Sequence, residues 1–325
     1  MRISSTQFPI DVAVTWGLDG IPLVEPAADP YAQAAVNGFL PDGTPVGVLQ
    51  EIGQPLPHAV FWNKVDAIRL SSVGRGGFAI TGNDAFILGA SFVQPETGGT
   101  VFQVATRWLE SGPQLISGLE MSNSIGQSVS SAGIYVGLMR EASNLGGTMF
   151  GGFIGRNGTA QRLNFPGFPE TRGFEINDDG WFTGIWESND VHLRGYRARI
   201  DLDTGEQEIH DLGLFEDNLQ TLAQAINNDG TIVGGAVGGP FGDVVRALIW
   251  PEGATAPLDL NTFVDIPGVT LIDAYRINNA GQILAEARLD DGSGFAYFRL
   301  DPVVPEPAGI AVMGFAGVAV LRRRA

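Results

Sequence analysis

The side chains that could carry acid–base, nucleophilic or metal chemistry are few. Cysteine is absent, and the three histidines, His58, His192 and His210, lack the spacing of three or four residues that places two zinc ligands on one helix. The chain has no Gly-x-Ser-x-Gly elbow and no glycine-rich phosphate loop with lysine; Lys64 is its single lysine. The sequence therefore predicts a protein that is not a serine hydrolase, a nucleotide-binding enzyme or an enzyme of any kind that needs thiol chemistry.

Carboxylates are more numerous, and one group has the spacing of a calcium loop. Asp201 and Asp203 are separated as the first ligands of such a loop are, but an EF-hand would have Glu at its twelfth position, which is Leu212 here. Turn formation is the preferred interpretation, with calcium bound near Asp201 and Asp203 as the alternative. The Asp-Asp-Gly steps at 178–180 and 290–292 also indicate hairpin turns. We predict no cofactor.

Composition narrows the class of protein. The 325 residues carry 36 acidic and 19 basic side chains, a formal net charge of −17, so the surface repels phosphate backbones and excludes nucleic-acid binding. The hydrophobic fraction of 44% is enough to bury a core, which excludes a disordered chain. The chain is long enough for one large all-β domain or two ordinary domains.

The body of the chain consists of repeats about 48 residues long. An Ile-Asn step ending in glycine aligns without gaps at 176–180, 226–230 and 277–281, and weaker copies begin at Val36, Ile80 and Val129. A second series of large apolar residues recurs at intervals of 46 to 50 residues: Trp16, Trp62, Trp108, Ile154, Ile200, Trp250 and Phe298. Two series that share one period indicate internal duplication.

Each repeat has the pattern of four short strands. The Asn/Asp-rich step ending in glycine supplies turn residues, and the apolar residues on either side of it pair as a hairpin. The tryptophan-bearing segment is a third strand, and segments such as 67–70, 113–119 and 257–260 fit a weaker fourth. We predict an all-β fold, a β-propeller of six four-stranded blades with seven as the alternative, in which the tryptophans pack between blades rather than stack on sugars.

Two segments resemble the halves of the HAF repeat of bacterial extracellular proteins. His58-Ala59-Val60-Phe61-Trp62 is similar to the first half, and residues 225–234 are similar to the second. The resemblance covers roughly residues 12–300. It implies an extracellular location and a structural place for His58, and it implies neither a ligand nor an enzymatic activity.

The C-terminal residues differ from the body of the chain. The distinctive residues are Pro305, Glu306, Pro307, the uncharged segment 308–321, Arg322, Arg323 and Arg324. As a helix, residues 308–321 would span about 21 Å, short of a hydrocarbon core of roughly 30 Å. Positive charge marks the cytoplasmic side of an inserted segment. We therefore predict a short hydrophobic helix over 308–321 with a basic end at 322–324.

This tail resembles the PEP-CTERM sorting signal of Gram-negative bacteria. The resemblance implies export, insertion in the membrane before processing, and removal of the tail by an exosortase, a membrane protease. It also implies a final location at the cell surface or outside the cell. Family members carry an N-terminal signal peptide, and none is visible after Met1. The resemblance thus predicts a start upstream of Met1, and a cytoplasmic protein with an accidental tail is the alternative.

These patterns predict a domain organisation and a function together. Residues 1–302 form the repeat domain, and residues 303–325 form the sorting signal. The predicted function is that of an exported surface or matrix protein with a noncatalytic role, in binding or in structure. Its predicted partners are an exosortase and extracellular polysaccharide. The alternative is a secreted β-propeller enzyme that acts on polysaccharide through acidic residues.

Overall fold

The computed structural model describes most of the repeat region and a few terminal strands. The described residues are 2–4, 9–11, 14–16, 22–24, 33–51, 53–63, 66–95, 98–119, 123–142, 148–168, 170–187, 193–216, 219–238, 244–302 and 315–321. Within them the structure is β-strand and turn, with one short 3-10 helix at Leu260–Phe263. The predicted all-β class is confirmed.

Short hairpins come first in the chain. Strand β1 (Arg2–Ser4) pairs with β2 (Pro9–Asp11), and β3 (Val14–Trp16) pairs with β4 (Pro22–Val24). Sheet 1 consists of β5 (Gln33–Phe39), β6 (Pro45–Gln50), β7 (His58–Trp62) and β8 (Ala67–Arg69). Sheet 2 consists of β9 (Gly77–Gly82), β10 (Ile87–Val93), β11 (Phe102–Leu109) and β12 (Gly112–Leu115). Sheet 3 consists of β13 (Asn123–Val129), β14 (Tyr135–Ala142), β15 (Thr148–Arg156) and β16 (Thr159–Arg162).

Three further sheets follow the same plan. Sheet 4 consists of β17 (Glu170–Ile176), β18 (Phe182–Glu187), β19 (Leu193–Ile200) and β20 (Gln207–Asp211). Sheet 5 consists of β21 (Gln220–Ile226), β22 (Ile232–Gly238), β23 (Val244–Trp250) and β24 (Leu258–Asp259). Sheet 6 consists of β25 (Val269–Ile277), β26 (Ile283–Leu289), β27 (Phe295–Pro302) and β28 (Phe315–Leu321).

Each sheet is an antiparallel meander in which the strands pair in chain order. Sheets 1 to 3 belong to one compact unit, residues 1–163, and sheets 4 to 6 belong to another, residues 164–325. Within each unit the first strand of a sheet packs against the strands of the sheet before it. Six sheets, each from one repeat, agree with the predicted number of four-stranded units.

The Ile-Asn step closes the first hairpin of a sheet, as predicted, and the asparagine has a second role. Asn177 Oδ1 accepts a hydrogen bond from the Trp181 N–H at 2.9 Å within its own turn. Asn177 Nδ2 donates to the carbonyl oxygen of Asn227, the equivalent residue of sheet 5, at 3.0 Å. Asn83 Nδ2 donates in the same way to the Ser130 carbonyl of sheet 3, also at 3.0 Å. The repeated asparagine therefore joins neighbouring sheets as well as closing its own turn.

The apolar series of the repeat lies on the third strand of each sheet and is buried. The exposed fractions are 1% for Trp62, 4% for Trp108, 1% for Ile154, 5% for Ile200, 0% for Trp250 and 2% for Phe298. Trp108 Nε1 donates to the Ser71 carbonyl and Trp250 Nε1 to the Leu212 carbonyl, which satisfies both buried indoles. Packing between sheets is thus confirmed for Trp108 and Trp250, which contact residues of the preceding sheet, whereas Trp62 packs with residues of its own sheet. The side chain of Trp16 lies outside the described residues.

A one-residue bulge recurs in the first strand of every sheet. The extra residues are Asn37, Ile80, Gln127, Phe174, Gln224 and Tyr275. The second strand has glycine opposite the residue before the bulge in five of the six sheets: Gly47, Gly89, Gly137, Gly184 and Gly234. A methyl group on Gly234 would overlap the Leu222 carbonyl oxygen, and one on Gly184 would overlap that of Arg172. The backbones of the first and second strands approach closely at the bulge, which explains why the repeat motif ends in glycine.

The C-terminal segment supplies the fourth strand of sheet 6. Strand β28 pairs antiparallel with β27, with Pro302 opposite Phe315 and Tyr297 opposite Leu321. The predicted hydrophobic helix over 308–321 is therefore wrong for the residues of β28, and 308–314 lie outside the described residues. The outer edge of β27 offers unpaired backbone groups, and a run rich in β-branched valine satisfies them as a strand. Within the described part of the chain, no helix could span a lipid bilayer.

The bulge predicts an asymmetric response to exchange of glycine and alanine. We expect Gly234→Ala to lower the free energy of unfolding by about 2 kcal/mol, because the new methyl group forces the two strands apart. The position equivalent to Gly234 in sheet 6 is Ala285 on β26, which pairs with Ala274 on β25. Strand β25 differs from the other first strands in having a second irregularity, between Leu271 and Asp273. Ala285→Gly is the matched control and should lower stability by less than about 1 kcal/mol. Urea unfolding measures both variants, and equal losses would contradict the role of the bulge.

Candidate functional site

Two carboxylates converge on sheet 6, where β25 and β26 lie side by side. Asp273 and Glu286 are directly opposite each other in the strand register, which places their Cβ atoms about 5 Å apart. The Tyr275 hydroxyl donates a hydrogen bond to Glu286 Oε2 at 2.7 Å. From sheet 5, Gln224 Nε2 donates to both oxygens of Asp273, each at 2.7 Å. We call these four half-buried residues the acidic cluster.

The irregular register of β25 brings the acidic cluster together. The pairing of β25 with β26 slips between Leu271 and Asp273 and again between Ala274 and Arg276. Tyr275 is the extra residue at the second slip, two residues after Asp273, and its hydroxyl reaches Glu286, the pairing partner of Asp273. Gly235 of sheet 5 leaves room for this arrangement, because a Cβ there would be 2.6 Å from Asp273 Oδ1.

The electrostatics of the acidic cluster favour hydrogen bonding over nucleophilic attack. Burial raises the pKa of Asp273, and the hydrogen bonds from Gln224 and from the Ala274 N–H oppose that rise. Burial, followed by the hydrogen bond to Glu286, raises the pKa of the Tyr275 phenol. Tyr275 thus remains protonated at neutral pH and acts as a donor. The cluster offers carboxylate acceptors and a phenol donor to a polar ligand, and a carboxylate pair suited to general acid–base work.

Glu175 on β17 is a second acidic side chain in an unfavourable environment. Its Oε2 atom is buried and has no hydrogen-bond partner among the described residues. The closest cation, Arg276 Nη1, is 4.0 Å from that oxygen. Burial raises the pKa of Glu175 to about 7, and the charge of Arg276 offsets part of the rise. Glu175 is therefore an acid that titrates near neutral pH.

The turn interpretation of the Asp201 group is confirmed. Asp201 Oδ1 accepts hydrogen bonds from the Asp203 N–H at 2.8 Å and from the Thr204 N–H at 3.0 Å, in the turn between β19 and β20. Gly205 completes the turn with a φ of +77°. The Asp-Asp-Gly steps at 178–180 and 290–292 likewise lie between paired strands. Among the residues that the structure describes, no three His, Asp or Glu side chains are grouped as metal ligands would be.

The remaining predicted residues are not brought together. His58 begins β7 and is half-buried, whereas His210 lies on β20 with Nε2 3.1 Å from Glu208 Oε1. His192 lies outside the described residues. So do the predicted sorting residues Pro305, Glu306, Pro307, Arg322, Arg323 and Arg324.

Sequence reasoning missed the acidic cluster, although a signal was present. When the repeats are aligned on their Ile-Asn step, Asp273 takes the place of Leu222 and Arg172. The position varies among the repeats, so the repeat itself does not require an aspartate there. The signal is incomplete, because Asp273 meets Gln224 only through the packing of sheet 6 against sheet 5.

Comparison with known proteins returns little. No family model matches the chain, and no curated protein matches it. Among solved structures, a Trypanosoma rangeli sialidase in complex with sialic acid aligns with 10% identity and a TM-score of 0.33 over 92% of this chain. The chain spans about half of the length of that sialidase, since 50% of it is covered. Similarity at this level assigns no activity to the chain.

The raised pKa of Glu175 predicts a pH-dependent stability. Because the folded-state pKa exceeds the ordinary value of 4.5, the folded state binds more protons than the unfolded state between pH 4.5 and about 7. The free energy of unfolding must then fall as pH rises through this window, by at most about 3 kcal/mol. Glu175→Gln should remove this fall, and therefore be more stable than the wild type at pH 8 and similar to it below pH 4.5.

Urea unfolding of both proteins at several pH values measures the effect. Glu206→Gln, which changes an exposed carboxylate in the β19–β20 turn, is the control for the loss of one acidic group. A stability difference between Glu175→Gln and the wild type that does not change with pH would contradict the assignment.

Proposed function

We propose that this protein is an exported, noncatalytic β-propeller of six blades, which is carried to the cell surface or the extracellular matrix by its C-terminal signal and acts there in binding or structure. The observation that carries the noncatalytic role is how the repeat uses its polar residues. The asparagines of the Ile-Asn steps are consumed by hydrogen bonds within a turn and between sheets. The recurring asparagine could suggest a series of catalytic or ligand-binding groups, but its hydrogen bonds give it a structural role.

The propeller arrangement rests on the repeated packing of one sheet on the next. Each unit contains three consecutive four-stranded meanders, and each meander places its first strand against the preceding sheet. This is the relation between consecutive blades of a propeller. In the proposal all six sheets close into one ring, whereas a seventh blade would need residues of β1 to β4.

The proposal of export rests on the tail sequence, and it requires residues 308–321 to adopt two conformations. In the folded chain the last part of this segment is β28, paired with β27. In a bilayer every backbone group needs an internal partner, which a strand detached from its sheet lacks and a helix provides. The proposal therefore has the segment inserted as a helix, and held by an exosortase, before the strand pairs or after it leaves β27.

The test is to follow processing of the tail in fractionated host cells. Replacement of Pro305, Glu306 and Pro307 by alanine should leave the chain uncleaved in the membrane fraction, because the protease recognition triplet is lost. Pro251→Ala with Glu252→Ala, which removes a Pro-Glu pair from the turn after β23, is the matched control and should be processed normally. Mass spectrometry of both chain ends measures the outcome. A wild-type chain found intact in the cytosol and ending at Ala325 would contradict export.

A second candidate function is an enzyme that acts on polysaccharide through acidic residues, and the pairing of Asp273 with Glu286 favours it. The two carboxylates differ in environment, since Asp273 is held by Gln224 and Glu286 by Tyr275. Different environments allow one carboxyl group to act as acid and the other as base.

This candidate predicts loss of hydrolysis in the carboxamide variants. Asp273→Asn and Glu286→Gln should each lower the rate of polysaccharide hydrolysis by about 100-fold or more, because a general acid or base is removed. Asp229→Asn, in the exposed turn before β22, is the control and should keep full activity. Reducing-sugar release from acidic and neutral polysaccharides is the measurement, and the absence of release by the wild-type protein would exclude this function.

A further inference from the structure

Cationic and aromatic side chains gather on one face of sheet 4, on a protein whose net charge is −17. The Arg197 and Arg199 guanidinium carbons lie 5.0 and 5.3 Å from the ring centroid of Trp181. The His210 ring lies 5.5 Å from the same indole. We call Trp181, Arg197, Arg199 and His210 the basic cluster.

The register of sheet 4 builds the basic cluster. Arg197 on β19 is flanked by its pairing partners Thr183 on β18 and His210 on β20, so the three side chains share one face. Arg199 is two residues further along the same strand and therefore on the same face, opposite Glu208. The indole of Trp181, immediately before β18, packs against the apolar core of sheet 5. The cluster thus lies at the border between sheets 4 and 5.

Two buried polar atoms of this face have no hydrogen-bond partner in the described part of the chain. The Thr183 side chain is fully buried, with 0% exposure, and its Oγ1 has no hydrogen-bond partner among the described residues. The buried Arg197 Nε has none either. Buried polar groups are normally satisfied, so this face of sheet 4 departs from the usual pattern at two neighbouring strands.

Glu208 shows where an anionic oxygen is accepted. Its Oε1 lies 3.1 Å from His210 Nε2, and its Oε2 lies 3.8 Å from Arg199 Nη2. The Glu208 side chain is 51% exposed, so it can turn into solvent without loss of packing. A carboxylate of a ligand can then take its place between the Arg199 and His210 side chains.

We propose that the basic cluster binds an acidic sugar, with its carboxylate held by Arg197, Arg199 and His210 and its ring against Trp181. Guanidinium groups form strong charge-assisted hydrogen bonds to carboxylates. Trp181 is only half-buried, and the part of an indole that is open to solvent offers an apolar surface to the C–H face of a sugar ring, which a free inorganic anion does not use. The combination selects a uronic acid unit over a neutral sugar and over a bare anion.

The proposed site gives the binding role of the previous subsection a ligand class, acidic sugars, and in this respect the inference rests on the proposed function. It uses neither the tail nor the acidic cluster. Failure to bind acidic sugar would remove this site and leave processing of the tail untouched, whereas failure of tail processing would leave the sugar site standing.

The experiment is calorimetric titration of the full chain at low salt with a galacturonate hexamer, a neutral glucose hexamer and sodium sulfate. We expect binding of the galacturonate hexamer and at least about tenfold weaker binding of the other two, which lack either the charge or the ring. Arg197→Gln combined with Arg199→Gln should weaken binding of the galacturonate hexamer by about tenfold or more. Arg288→Gln, at an exposed arginine of sheet 6, removes one positive charge elsewhere and should bind like the wild type.

The double arginine variant could lose binding because it fails to fold, so a second variant, Glu208→Gln, is also tested. Glu208 is exposed, and its replacement leaves the core intact. It removes the internal competitor, and we expect it to bind the galacturonate hexamer several-fold more tightly. Unchanged or weaker binding by Glu208→Gln would overturn the proposal. Equal binding of sulfate and of the galacturonate hexamer would also overturn it, because the site would then hold an anion without recognising a sugar.

Discussion

The hydrogen bonds of the repeated asparagine hold consecutive sheets in place. A turn at the end of a hairpin leaves a carbonyl oxygen pointing away from its own sheet, and a buried carbonyl without a partner is destabilising. In sheet 5 the carbonyl of Asn227 is satisfied by Asn177 of the sheet before it, while Asn177 uses its other side-chain atom to close its own turn. Asparagine suits this position because it carries both a donor and an acceptor. Aspartate would keep the turn and lose the link, because an ionised carboxylate has no donor.

The bulge in the first strand of each sheet combines a constant backbone geometry with a variable side chain. Its backbone geometry recurs in all six sheets and dictates the facing glycine in five of them. The side chain of the extra residue has no such constraint, and five residue types occupy the six positions, with glutamine in both sheet 3 and sheet 5. Gln224 and Tyr275 are two of these extra residues, and both belong to the acidic cluster. A constant irregularity of the backbone thus provides variable positions at which polar groups meet.

The two clusters of the second unit have complementary chemistry. The acidic cluster joins sheets 5 and 6 through Gln224 and Asp273, and the basic cluster lies where sheet 4 meets sheet 5. Both depend on contacts between sheets. A repeated framework is thus specialised locally. This explains why the repeat motif alone names no ligand.

The sequence by itself determined the local structure of each repeat. The period of the Ile-Asn steps predicted the number of sheets, the turn glycines predicted the hairpins, and the series from Trp62 to Phe298 predicted the buried third strands. These features depend on residues within one repeat of about 48 residues, so the repeat pattern is enough to predict them. Tertiary structure decided the rest, because it depends on which strand edges and faces meet. An apolar run that has helical length becomes β28 because the edge of β27 is free. Asp273 meets Gln224, and Trp181 meets the core of sheet 5, because sheets pack in order. No spacing along the chain encodes those contacts.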